Sequence, residues 1–190
     1  YRFKVNAQPT EKLAIEFGVS ASRINNGASA RADENLETFF SADQGDIRDY
    51  ETYSLEVNYD FDSFSMVSAT SYIDYAVDTF VDLAFVPGSF SKLSEFRGVE
   101  ILSQEVRLAS ELNGDWQWTG GIFYRDVDQN VQQELPEFFP GRSNLLDKSE
   151  SWAVFGELTH SMMDNKLDLT FGLRYFEDKG SNGETSNLFN

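Results

Sequence analysis

Apolar and polar residues alternate along this chain with the period of a β-strand. The cleanest stretch places Leu13, Ile15, Phe17, Val19 and Ala21 on one face, against Ala14, Glu16, Gly18, Ser20 and Ser22 on the other. Period two marks a strand with one apolar side. It recurs at Tyr53, Leu55, Val57, Tyr59 and Phe61, and at Leu167, Leu169, Phe171, Leu173 and Tyr175. Tyr1, Phe3, Val5 and Ala7 oppose Arg2, Lys4, Asn6 and Gln8, and Leu102, Val106 and Leu108 oppose Ser103, Glu105, Arg107 and Ala109. Trp116, Trp118, Gly120, Ile122 and Tyr124 line up, as do Trp152, Val154, Gly156 and Leu158. Over 64–77 the faces compete: Phe64, Met66 and Tyr72 against Val67, Ile73, Tyr75 and Val77. The pattern predicts eight strands of about 10 to 14 residues, enough for the roughly 9–11 that cross a bilayer core.

The connections fall into two kinds. Short polar turns stand at 8–12, 60–63, 111–115 and 162–166, centred about 51 residues apart. Between them, each strand pair is split by a polar loop of roughly 20 residues. Short turns at one end and long loops at the other are the layout of an antiparallel transmembrane β-barrel. A soluble β-sandwich with one wet and one dry face per sheet is the alternative, but it has no reason to segregate its connections.

Charge placement supports the membrane reading. A Lys or Arg facing lipid near the midplane costs about 2–4 kcal/mol. The clean apolar faces carry no charge, whereas Glu16, Glu56, Glu105, Arg107, Glu157 and Arg174 lie on the opposite ones. For Glu105, Arg107, Glu157 and Arg174, pairing between strands is the expected role, with contact to a polar element filling the lumen as the other. Tyr50, Tyr53, Tyr59, Phe61, Trp116, Trp118, Trp152 and Tyr175 gather near strand ends, as interfacial girdles require. With short turns periplasmic and long loops extracellular, strand 1–8 would start outside and strand 167–179 would end outside. The expectation is a slice of a larger barrel.

Composition narrows the classes. Of 190 residues, 41% are hydrophobic, mean hydropathy is -0.42, and no run approaches the roughly 18 apolar residues of a membrane helix. Cysteine is absent, which removes disulfides and thiolate metal sites. The formal net charge of -17 argues against a nucleic-acid partner. Aromatic content of 15% argues against a disordered acidic chain. Acidic loops fit contact with outer-membrane lipid and lipopolysaccharide, solvated or bridged by divalent ions.

Several segments resemble the barrel of TonB-dependent outer-membrane receptors. Ser103-Gln104-Glu105-Val106-Arg107-Leu108-Ala109-Ser110 is similar to a strand motif of that family, and Trp118-Thr119-Gly120-Gly121-Ile122-Phe123-Tyr124 to the strand that follows it. Ser151 to Leu158 and then Lys166 to Tyr175 resemble the next hairpin; the likeness covers most of 97–179 and, more weakly, 57–75 and 3–17. The resemblance implies about eight strands of a barrel of about 22, with a plugged lumen. It also implies import of a small-molecule or oligomeric nutrient such as a siderophore, vitamin or glycan, driven by the TonB complex through regions outside 1–190. Residues 1–190 would be part of the barrel domain, with no plug-like segment or TonB-contacting motif near their start. A passive porin-like barrel is the rival.

Catalytic chemistry is not indicated. No GxSxG, HExxH or glycine-rich phosphate loop occurs, and His160 stands beside a turn. The chain therefore reads as no enzyme, with no cofactor and no metal. Asp43, Asp46 and Asp49 around Gly45 lack the EF-hand pattern, so solvated loop charge is the favoured reading over a calcium site. Binding candidates lie in the long loops: Phe39 and Phe40; Phe80, Phe85, Phe90 and Phe96 in a loop at 78–98; Phe138 and Phe139 in a loop at 131–147. Exposed aromatics stack on rings and apolar solutes, though packing of loop on loop is the commoner use. Arg97 and Arg142 are candidates for an anionic solute, with local pairing as the competing role.

Overall fold

A computed structural model describes residues 1–27, 44–82, 92–111, 114–135, 141–164 and 166–186. Eight strands follow one another: β1 (Arg2–Thr10), β2 (Leu13–Asn26), β3 (Gly45–Asp60), β4 (Phe64–Asp82), β5 (Lys92–Ser110), β6 (Trp116–Leu135), β7 (Gly141–Met162) and β8 (Leu167–Ser186). They form a single antiparallel sheet in sequence order. The all-β expectation and the eight strands stand. The described residues of the four short turns fall where the sequence places them.

The strands are longer than expected, up to 22 residues in β7. A 20-residue strand such as β6 extends about 66 Å at about 3.3 Å per residue, against about 30 Å of hydrocarbon in a bilayer. The extra length comes from segments read as loop. Phe80 and Phe96 belong to β4 and β5, so 78–82 and 92–98 of the segment read as loop at 78–98 are strand, as are 131–135 and 141–147 of that read as loop at 131–147. Polar, charge-rich sequence at 92–98 and 141–149 hid strand character, because both sides of those extensions meet water and no apolar alternation is imposed.

Once register is fixed, period two sorts whole rows of residues to one side. Ala7, Ile15, Val57, Ser68, Val106, Ile122, Val154 and Tyr175 stand side by side in one row across all eight strands. The next row, Asn6, Glu16, Glu56, Ala69, Glu105, Phe123, Ala153 and Phe176, belongs to the opposite, polar face. The polar face is the crowded one. Ala153 and Ser151 are fully buried there, while Ile122 and Val154 on the apolar face are 56% and 47% exposed. Crowding on one face and splaying on the other is the behaviour of a sheet curved with its polar side concave, as barrel closure requires.

The short-turn end is tied together by backbone bonds between neighbouring turns. Asp60 N–H donates to the Lys12 carbonyl at 2.8 Å, and Ser161 N–H to the Asp115 carbonyl at 2.7 Å. The Lys12 ammonium pairs with Asp62 of the adjacent turn. These contacts hold four hairpins level at one end, so residues equally far from the turns share a height.

Candidate functional site

Aromatic residues mark two heights on the apolar face. Near the turns, Phe61 stacks on Phe64 at 4.3 Å and touches Tyr59 at 4.6 Å. Toward the loops, Tyr53 meets Tyr72 at 6.2 Å and Trp152 meets Tyr175 at 5.2 Å. Tyr53 and Phe61 lie about 26 Å apart along their strand at about 3.3 Å per residue, close to the height of a lipid-facing band once tilt is allowed.

Beyond the upper aromatics, the two faces exchange character. On the side that was apolar, Glu51, Asp74, Glu100, Asp128 and Lys148 stand in one row. On the side that was polar, Ile73, Ile101 and Val127 form a row, with Tyr75 and Val99 in the next and Val77 and Val131 beyond. Tyr50 completes this wall, its ring 6.2 Å from that of Tyr75 in a T-shaped contact. Both competing patterns in 64–77 are therefore real, one on each face. The apolar wall above the aromatic band escaped sequence reading, though that competition was its trace.

Electrostatics follow the exchange. Burial, and then the neighbouring Glu100 and Glu51, push the Asp74 carboxyl above its usual range. Asn26 and then Arg48 hold the Asp46 carboxyl below it by hydrogen bonding, against desolvation. Asp49 lies 3.7 Å from Arg23, and Asp43 is outside the described residues. Among the described residues no group of three metal-capable side chains occurs.

Of the binding candidates, Phe39, Phe40, Phe85, Phe90, Phe138 and Phe139 lie outside the described residues. Arg97 and Arg142 are not brought together. Arg97 sits on the concave side above Tyr75 and Val99, its guanidinium 3.1 Å from Glu95 of the same strand. Arg142, opposite Glu134 and bonded to it at 2.5 Å, shares the outer row parity of Lys148. Phe80 and Phe96 likewise share the outer face, where the Lys92 ammonium lies 4.8 Å over the Phe80 ring. His160 stacks on Trp116 at 4.1 Å beside the turn.

The charges expected to pair between strands do not do so. Lys4 bonds Glu16 at 2.6 Å, but among the described residues no ion pair includes Glu105, Arg107, Glu157 or Arg174. Register explains this: Arg107 faces Val67 and Gly121, Glu157 faces Thr119 and Gly172, and Glu105 faces Ala69 and Phe123. Instead Arg174 lies 5.9 Å from the rings of both Phe155 and Phe176.

Comparison with known proteins agrees with this geometry. A family model described as TonB dependent receptor-like, beta-barrel matches residues 5–190. The ferric yersiniabactin uptake receptor FyuA from Yersinia pestis superposes with a TM-score of 0.81 at 14% identity, over 98% of this chain and 30% of that one. BauA, the ferric preacinetobactin receptor from Acinetobacter baumannii, gives 0.65 at 14% identity, over 97% and 35%. The ferric citrate transporter FecA gives 0.65 at 12% identity, over 97% and 31%. The chain thus spans about a third of the length of these solved structures. No curated protein matches it.

Proposed function

Since the chain belongs to the TonB-dependent receptor-like β-barrel family, we propose that it forms part of the wall of a nutrient receptor in a Gram-negative outer membrane. The receptor captures a siderophore, vitamin or glycan outside the cell and imports it with energy relayed by the TonB complex. The observation that carries this reading is the exchange of faces at the aromatic band. Below it the convex side suits lipid and the concave side suits a water-filled or protein-filled lumen. Above it the convex side is acidic, suited to the lipopolysaccharide headgroup layer, and the concave side is an apolar wall with Arg97 at its upper edge.

In that arrangement the concave wall of Tyr50, Ile73, Tyr75, Val99 and Ile101 lines the vestibule that a solute enters. It supplies shape and apolar contact, and Phe39, Phe40, Phe85, Phe90, Phe138 and Phe139 are proposed as further ligand contacts. Arg142 faces outward and belongs to the rim rather than the path. The remainder of the barrel and its plug complete the lumen.

Growth and uptake in living cells test the reading. A strain lacking the full-length gene should lose high-affinity growth on one nutrient source, and loss of TonB should reproduce that defect. Uptake that persists unchanged without TonB would instead indicate a passive barrel.

A further inference from the structure

Two side-chain groups stand in mirror image about β4 at the top of the concave wall. In one row Asp46 and Glu95 flank Thr79, and in the row beneath it Arg48 and Arg97 flank Val77. On the β3 side, Asp46 accepts from Asn26 at 2.9 Å and from Arg48 at 2.5 Å. On the β5 side, Glu95 accepts from Gln133 at 2.7 Å and from Arg97 at 3.1 Å. Each group joins an amide, a carboxylate and a guanidinium, the amide coming from the next strand outward. Exposure repeats as well: both arginine side chains are 47% exposed, against 20% and 23% for Asp46 and Glu95.

Each guanidinium therefore faces the vestibule with its charge already cancelled. Its neighbours in the row are apolar, Val77 between the two and Ile24 and Val131 outside them. The other charges at these heights on the described concave face are Asp147 and Glu184, both acidic. An anion entering here meets two neutralised arginines and a net negative wall, so it gains little. A hydroxyl fits better, because it accepts from a guanidinium N–H and donates to a carboxylate or amide oxygen. Beneath, the T-shaped pair of Tyr50 and Tyr75 offers ring surface to C–H groups. The two arginines rise from strands two apart, about 10 Å at about 4.8 Å per step, so they hold a solute at two points. We propose that these paired groups form a subsite for a neutral, hydroxyl-rich solute, an oligosaccharide, and select against anionic chelates. The proposal rests on the receptor reading above and narrows it to one solute class.

The test uses the full-length receptor purified in detergent. Its binding to an array of neutral oligosaccharides is compared with its binding to ferric citrate. The wild type should retain at least one oligosaccharide, with an affinity that salt leaves unchanged, and should not bind ferric citrate. Arg48→Gln and Arg97→Gln should each weaken oligosaccharide binding about tenfold. Glu95→Gln frees the charge of Arg97, so it should weaken oligosaccharide binding and create salt-sensitive binding of ferric citrate. Arg23→Gln, on the outer face, should behave as wild type. The wild-type profile and its salt response decide the matter if the variants fail to assemble.

Absence of binding to every oligosaccharide, or wild-type binding of ferric citrate that weakens with salt, would overturn the neutral subsite and leave a receptor for another solute class. Oligosaccharide binding unchanged in both arginine variants would overturn it equally. Uptake of the bound oligosaccharide that continues unchanged without TonB would overturn the receptor reading and leave the subsite standing.

Discussion

The ring of Phe155 lies over Gly121, the residue directly opposite it on the neighbouring strand. A Cβ at position 121 would sit 2.6 Å from Phe155 Cζ and 2.7 Å from the Val106 carbonyl. The ring fills the space that glycine leaves on the concave face, and the backbone carbonyl cannot retreat. Gly121→Ala should therefore lower stability by about 1–3 kcal/mol, the usual range for overpacking. Urea titration of the refolded barrel in detergent micelles reads the effect. Phe155→Leu should recover part of the loss; a neutral Gly121→Ala would show that the ring does not hold this position.

On the convex side, a cation meets lipid. Ile122→Lys should cost about 2–4 kcal/mol near the midplane. Glu56→Lys, at similar height on the concave side, should cost far less. Comparing the two by folding titration in lipid vesicles checks the assignment of faces, and equal costs would refute it.

One polar cluster interrupts the lipid-facing band. Gln104 donates to Ser68 at 3.1 Å and to its neighbour's carbonyl at 3.2 Å, and accepts from Thr70. Each group satisfies another, which removes most of the cost of facing hydrocarbon. Gln104→Leu alone should destabilise by about 1–3 kcal/mol, because two hydroxyls lose their partner. The triple change Ser68→Ala, Thr70→Val, Gln104→Leu should be close to neutral. Additive losses across the three single variants would mean that the groups act independently.

The turn pair Lys12–Asp62 carries a pH signature. Hydrogen bonding to Lys12, and then its charge, hold the Asp62 carboxyl below its usual range, and the same contacts with Asp62 raise the Lys12 ammonium. The depressed carboxyl contributes stability above its unfolded pKa and loses it as pH falls through the folded value. The raised ammonium contributes below its unfolded pKa and loses it as pH rises through the folded one. Asp74 runs the other way: its raised carboxyl makes the sheet more stable as pH falls. Carboxyl NMR titration should place Asp46 and Asp62 below the usual carboxylate range and Asp74 above it. Asp62→Asn should abolish the acid-side change at that turn.

Met163 and Asp164 both adopt left-handed backbone, at φ of 56° and 57°. A long unbranched side chain gains nothing from that conformation. Met163→Gly should leave the fold intact and raise stability by up to about 1 kcal/mol, measured as a shift in the urea midpoint. A loss would mean that the Met163 side chain makes contacts that outweigh its backbone strain.

The membrane-crossing half of each strand was legible in the sequence because lipid enforces strict alternation at Leu13–Ala21 or Leu167–Tyr175. The upper halves were not, since there the charged residues move to the convex face and the apolar ones to the concave face. So Phe80 and Phe96 read as loop, and Arg97 and Arg142 both read as candidates for an anionic solute although they point to opposite sides. The pairing of Glu105, Arg107, Glu157 and Arg174 failed for a different reason. Strand positions are visible in sequence, but register decides which residues face one another, and register comes from the turns and the neighbouring strands together.

The exchange of faces at Tyr53 and Tyr72 also governs how deep the wall can sit. A slip of one side-chain repeat, about 6 to 7 Å along a strand, would carry Glu51, Asp74 and Glu100 into hydrocarbon in one direction. In the other direction it would lift Leu55 and Tyr53 into water. Depth is thereby fixed like a waterline on a hull. Any motion a barrel of this kind undergoes must then lie in parts that move within it, because the wall itself has nowhere to ride.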